Sequence, residues 1–385
     1  MKKIYFLFSL LFGVGNLLAQ AQNRPIVTAV PFLQVSADAR ASGMGDLGVA
    51  TSADVYSQQW NAAKYPFAEN KLGIGLSYTP YMSSLSNDTG LLNLNFFNKI
   101  NERSAFAFSL RYFGIGETVF KQNEDDAGQI VKPNEFALDG SYSLKLSEKF
   151  AMSVTGRYIR SNLEIQQANA GGHAAGSFAV DIAGYYQTPE TAFKNFNGIW
   201  RGGFNVSNLG PKLKYNGDSG SDSFLPANLK VGGGFDFIFD QDNTLATSIE
   251  FNKLLVPSPQ NNQTNAQYQD AGFVKGAFNS FSDAPGGFGE ELKEVTWAVG
   301  LEYLYQKAFA LRTGYFHESS EKGDRKFFTL GAGFKYKKAK FDFSYLSSAA
   351  KQKTPLDNML RFSLSFNIGD NNSVTNIEEK EKPAN

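Results

Sequence analysis

Residues 103–114, with the sequence RSAFAFSLRYFG, decide the fold of this chain. Phe106, Phe108 and Leu110 occupy every second position, and small or polar residues stand between them. Residues 358–367 (NMLRFSLSFN) repeat the pattern. Because successive side chains of a β-strand point to opposite faces, this alternation predicts strands with one apolar face.

Fourteen segments with this period of two follow one another from residue 71 onward. They cover residues 71–79, 88–98, 103–114, 134–146, 149–161, 174–187, 198–208, 227–238, 243–253, 294–306, 308–316, 325–337, 340–347 and 358–367. Several are much longer than the average soluble strand of about 5–6 residues. Strands of about 9–11 residues are what a tilted crossing of a bilayer requires.

The links between these segments alternate between short and long. The links after the second, fourth, eighth, tenth and twelfth segments are short, whereas residues 115–133, 162–173, 209–226 and 254–293 form long links. Tight turns at one end and large loops at the other are typical of outer-membrane barrels, and a soluble β-sandwich gives no reason for such sorting. We therefore predict an all-β fold, a 14-stranded antiparallel transmembrane outer-membrane β-barrel over residues 71–368.

The composition excludes several classes of function. The 385 residues contain 37 Lys and Arg and 37 Asp and Glu, so the basic excess of a nucleic-acid-binding protein is missing. Cys is absent, which excludes disulfides, thiolate metal sites and cysteine nucleophiles. Only 2 His are present, and no paired carboxylates or Ser/His/Asp set stands out. The sequence indicates a non-enzymatic protein without a metal or cofactor.

Both ends of the chain lie outside the barrel segments. Residues 1–3 are basic at two positions, residues 4–19 are uncharged and apolar, and Ala-Gln-Ala at residues 19–21 fits a signal-peptidase site. We expect residues 1–21 to be removed as a secretory signal peptide, with an uncleaved membrane anchor as the alternative. Residues 369–385 form a charged tail that is expected to be disordered in the periplasm.

The strand faces opposite the apolar ones carry charges of both signs. The basic residues predicted to face the lumen are Arg111, Arg157, Arg201, Arg312, Lys335 and Arg361, and the acidic ones are Asp139, Asp181, Asp236, Glu250, Glu302 and Asp342. Charges of one sign would indicate an ion-selective pore. Because unpaired buried charge is costly, an equal mixture favours paired groups inside a filled interior.

Residues 22–70 have a composition suited to filling that interior. They lack a long alternating pattern and combine small residues with single large ones. We predict that they fold into the lumen as a plug, with a flexible periplasmic leader as the alternative. The residues singled out in this segment are Asp38, Arg40, Gly43, Met44, Gly45, Trp60 and Asn61. The G-x-G-x-x-G pattern at residues 43–48 lacks the preceding strand that a nucleotide-binding loop requires.

Other polar residues give little indication of chemistry. His173 and His317 each lack a second His nearby, so loop roles are expected. The acidic residues 124–126, and Asp218 with Asp222, raise the possibility of calcium, but the spacing of an EF-hand is missing. Solvated loop charge is the expectation for both groups.

The longest link, residues 254–293, has two compositions. Its first half is polar and contains the sequence PSPQNNQTN. Its second half contains Phe273, Phe278, Phe281 and Phe288 among glycines. Aromatic residues in such numbers indicate either packing over the barrel mouth or a partner-binding surface, and the sequence does not favour one of the two.

Two stretches of the N-terminal region resemble a known family. Residues 31–40 (PFLQVSADAR) and 42–50 (SGMGDLGVA) are similar to the N-terminal signature of the PorV family. These proteins are outer-membrane components of the type IX secretion system of Bacteroidota, within the wider FadL-like class of 14-stranded barrels. Residues 61–63, Asn-Ala-Ala, depart from the Asn-Pro-Ala that is common in related proteins.

The resemblance implies a non-enzymatic barrel that works with the large type IX translocon barrel, surrounded by outer-membrane lipid. It would receive secreted cargo bearing a C-terminal sorting domain and hand it to the surface attachment complex with its sortase. The alternatives are a sister component such as PorQ, a FadL-like channel for hydrophobic small molecules, and a purely structural outer-membrane anchor.

Overall fold

The computed structural model describes residues 24–81, 88–121, 128–163, 174–215, 222–260, 267–268, 271–350 and 358–370. Several sequence predictions therefore lie outside the described residues. They are the signal peptide, His173, the acidic residues 124–126, Asp218 and residues 371–385 of the tail.

Fourteen long strands form one closed antiparallel barrel. The main sheet has 15 strands, of which only the short β9 (Thr191–Ala192) stands outside the closed ring, paired with β10. The strands of the ring are β1 (Asn70–Pro80), β2 (Gly90–Lys99), β3 (Ser104–Gly114), β6 (Asn134–Lys145), β7 (Phe150–Asn162), β8 (Ala175–Gln187), β10 (Asn197–Leu209), β11 (Asn228–Ile238), β12 (Asn243–Leu254), β13 (Val295–Tyr305), β14 (Phe309–His317), β15 (Lys326–Tyr336), β16 (Ala339–Ser348) and β17 (Met359–Asp370). Pairing of β1 with β17 closes the ring, so the predicted 14-stranded barrel is confirmed.

The remaining elements are short. They are the hairpin β4 (Thr118–Phe120) and β5 (Gln129–Val131), the helices α1 (Ala39–Ser42), α2 (Ser57–Trp60), α3 (Phe273–Asn279) and α4 (Phe288–Lys293), and the 3-10 helices Pro31–Gln34 and Ala62–Phe67. Among the described residues, no helix has the length and apolarity needed to cross a membrane.

The alternation in sequence becomes an alternation of exposed and buried side chains. In β3, Phe108 and Tyr112 are exposed while Ala107, Ser109 and Arg111 are buried. A continuous belt of exposed Phe, Leu and Tyr would be unfavourable in water but is the expected outer surface of a barrel in lipid. The charged and small residues therefore line the inside.

The connections are short at one end of the barrel and long at the other. We name the end with short turns the periplasmic end and the end with long links the extracellular end. The turn between β13 and β14 shows how the short ones form. Gln306 and Lys307 have φ values of 53° and 51°. Positive φ at both central residues matches the twist of the flanking strands in a two-stranded hairpin.

Residues 24–69, named here the N-terminal segment, lie against the inner faces of the strands. At the extracellular end, the backbone N–H of Arg24 donates to the carbonyl of Glu321 at 2.9 Å, in the link between β14 and β15. At the periplasmic end, Nζ of Lys99 donates to the carbonyl of Ala68 at 3.2 Å. Between these points α1 contacts β15 to β17, and the second 3-10 helix contacts β3 and β6 to β8. The segment thus runs along the barrel from one end to the other.

Candidate functional site

Asp38 joins two parts of the N-terminal segment. It is the N-cap of α1, where Oδ2 accepts a hydrogen bond from the Ala41 N–H at 2.8 Å. Asp is favoured there because its carboxylate satisfies a helical N–H that has no partner within the helix. Oδ1 accepts a second hydrogen bond from the indole N–H of Trp60 at 2.7 Å. One buried carboxylate therefore fixes the position of Trp60 relative to α1.

Arg40 connects α1 to the barrel wall through a buried ion network. Its guanidinium donates to both carboxylate oxygens of Glu302 on β13, at 3.0 and 2.7 Å, and to Asp54 at 2.8 Å. Arg312 on β14 also donates to Glu302, at 2.6 Å, and pairs with Asp342 at 2.9 Å. Two-pronged arginine–carboxylate contacts are among the strongest hydrogen bonds in proteins. The network fixes the segment to one side of the lumen.

A second network lies on the other side of the lumen. Arg157 on β7 pairs with Asp139 at 2.6 Å and with Asp181 at 2.9 Å. Arg111 makes no ion pair within the described residues and instead donates to the carbonyl of Leu33 at 3.1 Å. The wall therefore binds both the backbone and the side chains of the N-terminal segment.

Strands β10 and β12 bind the backbone of residues 48–50. Oε2 of Glu250 accepts hydrogen bonds from the N–H groups of Gly48 and Val49, each at 2.8 Å. Arg201 donates to the carbonyl of Ala50 at 3.0 Å and forms an ion pair with Asp236. A carboxylate that accepts two backbone N–H groups holds this stretch of chain in one conformation.

Small residues of the wall bring the backbone of Gly43, Met44 and Gly45 into direct contact with strands β13 to β15. A Cβ on Gly314 would lie 2.1 Å from the carbonyl carbon of Met44, and one on Gly300 would lie 2.5 Å from its oxygen. Gly45 has a φ of +83°, which other residues rarely adopt, and its N–H donates to Thr329 at 2.8 Å. Packing of backbone on backbone requires glycine on both sides here.

Asn61 and Lys64 hold the lower part of the N-terminal segment. The Asn61 side chain donates to the carbonyls of Val49 and Gly184, both at 2.9 Å, and accepts from the N–H of Ala63 at the start of the 3-10 helix. The buried ammonium of Lys64 donates to the Gly48 carbonyl at 2.8 Å. Lys64 was not predicted, because a lone lysine usually indicates a surface residue.

An internal cavity of about 200 Å³ lies in the extracellular half of the lumen. Trp60 of the N-terminal segment borders it, together with Arg111, Arg157, Glu250 and Arg361 of the wall. Arg361 also pairs with Asp46 at 3.1 Å. This cavity is therefore small, and charged side chains share its lining with apolar ones such as Leu33 and Phe316.

Three other residues from the sequence predictions lie away from this network. Lys335 is half-buried near the periplasmic end of β15. His317 stacks on Trp297, with ring centroids 5.1 Å apart. Asp222 pairs with Lys214 at 3.0 Å. In the described parts of the chain, no group of three or more His, Asp or Glu side chains is arranged to hold a metal ion.

The extracellular link between β12 and β13 carries its aromatic residues outward. Helix α3 buries Gly276 and helix α4 buries Glu291, and between the helices Ser280 and Ala284 are buried. The exposed fractions of the phenylalanines are 38% for Phe273, 74% for Phe278, 50% for Phe281 and 77% for Phe288. Val274 and Leu292 are exposed beside them. We name these six residues the Phe surface.

A cluster of charges beneath the Phe surface holds this link in place. Lys253 pairs with Glu291 at 2.9 Å and with Glu294 at 2.8 Å, and Lys322 of the next link pairs with Glu290 at 2.6 Å and Glu294 at 2.9 Å. Burial raises the pKa of Glu294, but hydrogen bonds from Lys253, Ser258 and Lys322 outweigh it and hold that pKa below its usual value. These ion pairs therefore hold the link that carries the Phe surface in a defined position.

Comparison with models of protein families identifies the family of this chain. The model of the type IX secretion system protein PorV matches residues 18–261. The chain belongs to the PorV family. The match includes every residue singled out in the N-terminal segment and the strands up to β12, and it ends before the Phe surface. No curated protein sequence matches the chain.

Solved structures similar to this PorV-family chain include a hydrocarbon channel, a toluene transporter and a FadL homologue. The CymD monoaromatic hydrocarbon channel has a TM-score of 0.50 at 12% identity, with 87% of this chain and 98% of CymD covered. A FadL homologue from Pseudomonas aeruginosa has a TM-score of 0.45 at 11% identity, covering 90% and 99%. The toluene transporter TodX from Pseudomonas putida has 0.47 at 10%, covering 90% and 98%. At such identity the likeness concerns the fold alone.

Proposed function

We propose that this PorV-family barrel receives secreted proteins bearing a C-terminal sorting domain and passes them to the surface attachment complex with its sortase. In this proposal it is a non-enzymatic component that associates with the large type IX translocon barrel. Family membership supports the system in which the barrel works. The observation that carries the finer proposal is the Phe surface, which presents exposed aromatics at the extracellular end.

The filled interior of the barrel favours a function at the extracellular surface over the transport of a solute through the lumen. The N-terminal segment makes buried ion pairs and backbone hydrogen bonds with the wall, and we infer that it acts as a plug. A channel for hydrophobic small molecules would need an apolar path. The lumen cavity of about 200 Å³ has apolar side chains such as Trp297 and Phe316 in its lining, but Arg111, Arg157 and Arg361 interrupt them. Charged groups of this kind are a poor lining for an apolar solute.

The Phe surface has the chemistry of a protein-binding site. Large exposed apolar patches on folded proteins mark interaction sites, and buried aromatics supply most of the energy of many interfaces. Here Phe278 and Phe288 are more than two-thirds exposed, although Gly276 and Ser280 between and beside them are buried. Because the small residues face the protein and the large apolar ones face away, packing among the described residues does not account for the phenylalanines.

The test is purification of the barrel from native outer membranes, comparing wild type with the triple change Phe273→Ser, Phe278→Ser and Phe281→Ser. We expect the wild type to bring down the translocon and cargo, and the variant to lose cargo and surface attachment at normal barrel abundance. The matched control is Lys275→Ser with Asn279→Ser, which alters exposed residues of the same helix. Cargo retained by the triple variant, or a wild type that carries only bound small molecules, would contradict the proposal.

A further inference from the structure

The outer wall of the barrel has an apolar concavity of about 640 Å³ across strands β10 to β15. Its rim is formed by exposed side chains that point away from the lumen, among them Trp200, Ile249, Leu301 and Phe328. Gly233 on β11 and Thr247 on β12 lie within it. The concavity therefore opens to the surroundings of the barrel and not to its interior.

The small residues of this concavity are not required by the packing of the barrel itself. A Cβ on Gly233 would find its nearest neighbour at 3.8 Å, which is ordinary contact, and a Cβ on Gly202, which pairs with Gly233 beside the concavity, would find its nearest neighbour at 4.0 Å. The inward-facing glycines next to them are different, since a Cβ on Gly203 would lie 2.3 Å from the Val49 carbonyl. A glycine in a strand weakens the strand and often marks the close approach of another molecule. The outward glycines thus leave room for something outside the barrel.

The same side of the barrel has unusual features at both ends. At the periplasmic end, the link before β10 is longer than the other short turns and packs Phe193 and Phe196 against Phe235, with ring centroids 6.0 and 6.3 Å away. Phe193 and Phe239 remain about half exposed. At the extracellular end, the Phe surface rises from the link between β12 and β13. Apolar surface therefore extends over the full height of this side.

We propose that strands β10 to β15 form the face on which a second integral outer-membrane protein packs, with apolar side chains of that protein inserted into the concavity. The inference rests on the proposed function, in which the partner is the large translocon barrel, and it adds the side by which the two barrels meet. Without a hydrophobic driving force between proteins in lipid, close packing onto small residues is what stabilises such contacts. Gly233, Thr247 and Thr313 supply those small residues.

The dimensions of the face suit a stable complex. Six strands about 4.8 Å apart span about 24 Å, and the apolar band is about 25 Å tall, which gives about 600 Å². Stable interfaces bury about 800 Å² on each partner. The Phe surface above the same strands can supply the remainder. An acyl chain alone would need neither the aromatic link at the periplasmic end nor the Phe surface.

Site-specific photo-crosslinking in native outer membranes tests the face directly. A photoreactive phenylalanine analogue replaces Thr313, which is exposed beside the concavity, and in a control it replaces Phe108, which is exposed on β3. We expect the translocon barrel to be captured at position 313 and not at position 108. Capture of lipid alone, or of a second copy of this chain, at position 313 would overturn the inference.

A second measurement fills the concavity. The double change Gly233→Leu and Thr313→Leu should lower the yield of co-purified translocon at least tenfold, while the control Gly156→Leu, where a Cβ meets nothing within 4 Å, should leave it unchanged. A double variant with wild-type yield overturns the inference and leaves the proposed function standing. A wild-type barrel that brings down no outer-membrane protein overturns both. If the double variant does not assemble, the crosslinking result decides.

Discussion

The guanidinium of Arg40 and the carboxylate of Glu302 are joined by two hydrogen bonds, of 3.0 and 2.7 Å, across 262 residues of sequence. Both side chains are almost fully buried. Without Arg40, Glu302 keeps only Arg312 as an ionic partner and Asp54 loses its guanidinium. Removing one member of a buried ion pair costs about 3–5 kcal/mol. We expect Arg40→Ala to lower the temperature at which the barrel loses its heat-modifiable migration in gels.

The control for this change is a solvent-exposed ion pair of the same protein. Lys307 and Glu69 approach to 3.9 Å with both side chains largely exposed. Such a pair contributes about 0–1 kcal/mol, so Lys307→Ala should leave the transition temperature unchanged. An Arg40→Ala barrel as heat-stable as the Lys307→Ala barrel would show that the N-terminal segment adds little to stability.

A second prediction concerns the contact between Gly314 and Met44. In Gly314→Val the new Cβ would lie 2.1 Å from the Met44 backbone, so the N-terminal segment must move. Overpacking of this kind costs about 1–3 kcal/mol. If the segment acts as a plug, single-channel conductance in planar bilayers should rise. Gly156→Val, with open space around its Cβ, is the matched control, and equal conductance of the two variants would argue against the plug.

The third prediction tests which strand face meets lipid. Phe108 and Leu364 are exposed to 56% and 38% and lie near the middle of β3 and β17. An arginine on the lipid face at the bilayer midplane costs about 2–4 kcal/mol. Phe108→Arg and Leu364→Arg should each reduce the fraction of folded barrel on gels, whereas Phe108→Leu should not. Normal assembly of both arginine variants would mean that this face does not contact lipid.

The fourth prediction concerns acid. The pKa of Glu294 is held below its usual value by hydrogen bonds from Lys253, Ser258 and Lys322, which exceed the opposing effect of burial. A carboxylate with a lowered folded pKa gives stability that is present above its ordinary value of 4.5 and lost as the pH falls through the folded value. Limited proteolysis of the link between β12 and β13 should therefore accelerate below about pH 4.5.

Glu294→Gln provides the reference for the acid experiment. Because its amide carries no charge at any pH, the variant should be cleaved faster than wild type at neutral pH and show a weaker response to acid. Identical pH profiles for the two proteins would place the acid sensitivity in other groups of the loop.

The strands could be predicted from sequence because the polarity of each side chain indicates whether it faces the lipid or the lumen. Phe106 and Phe108 must meet lipid, and Arg111 must not, so alternation gives both the strand and its orientation. The same period cannot say which carboxylate an arginine pairs with. Arg40 and Glu302 meet only because α1 packs on β15 to β17 inside the barrel, from where the Arg40 side chain reaches β13. The sequence around neither residue contains that information.

The short elements of the extracellular links were not predictable. Helix α3 has a buried glycine, Gly276, and exposed phenylalanines, which is the reverse of the pattern that identifies a helix packed on a protein. The hairpin of β4 and β5 has only three residues in each strand, too few for a period of two to be recognised.

The path of the N-terminal segment has a consequence for biogenesis. Arg24 is bonded at the extracellular end, β1 begins at the periplasmic end, and the seam of the barrel lies between β1 and β17, the first and last strands. A barrel that closed before the segment was in place would leave Glu302 with Arg312 alone and Glu250 without the N–H groups of Gly48 and Val49. We therefore expect the strands to fold around the N-terminal segment first. The pairing of β1 with β17, which closes the barrel, would be the last step.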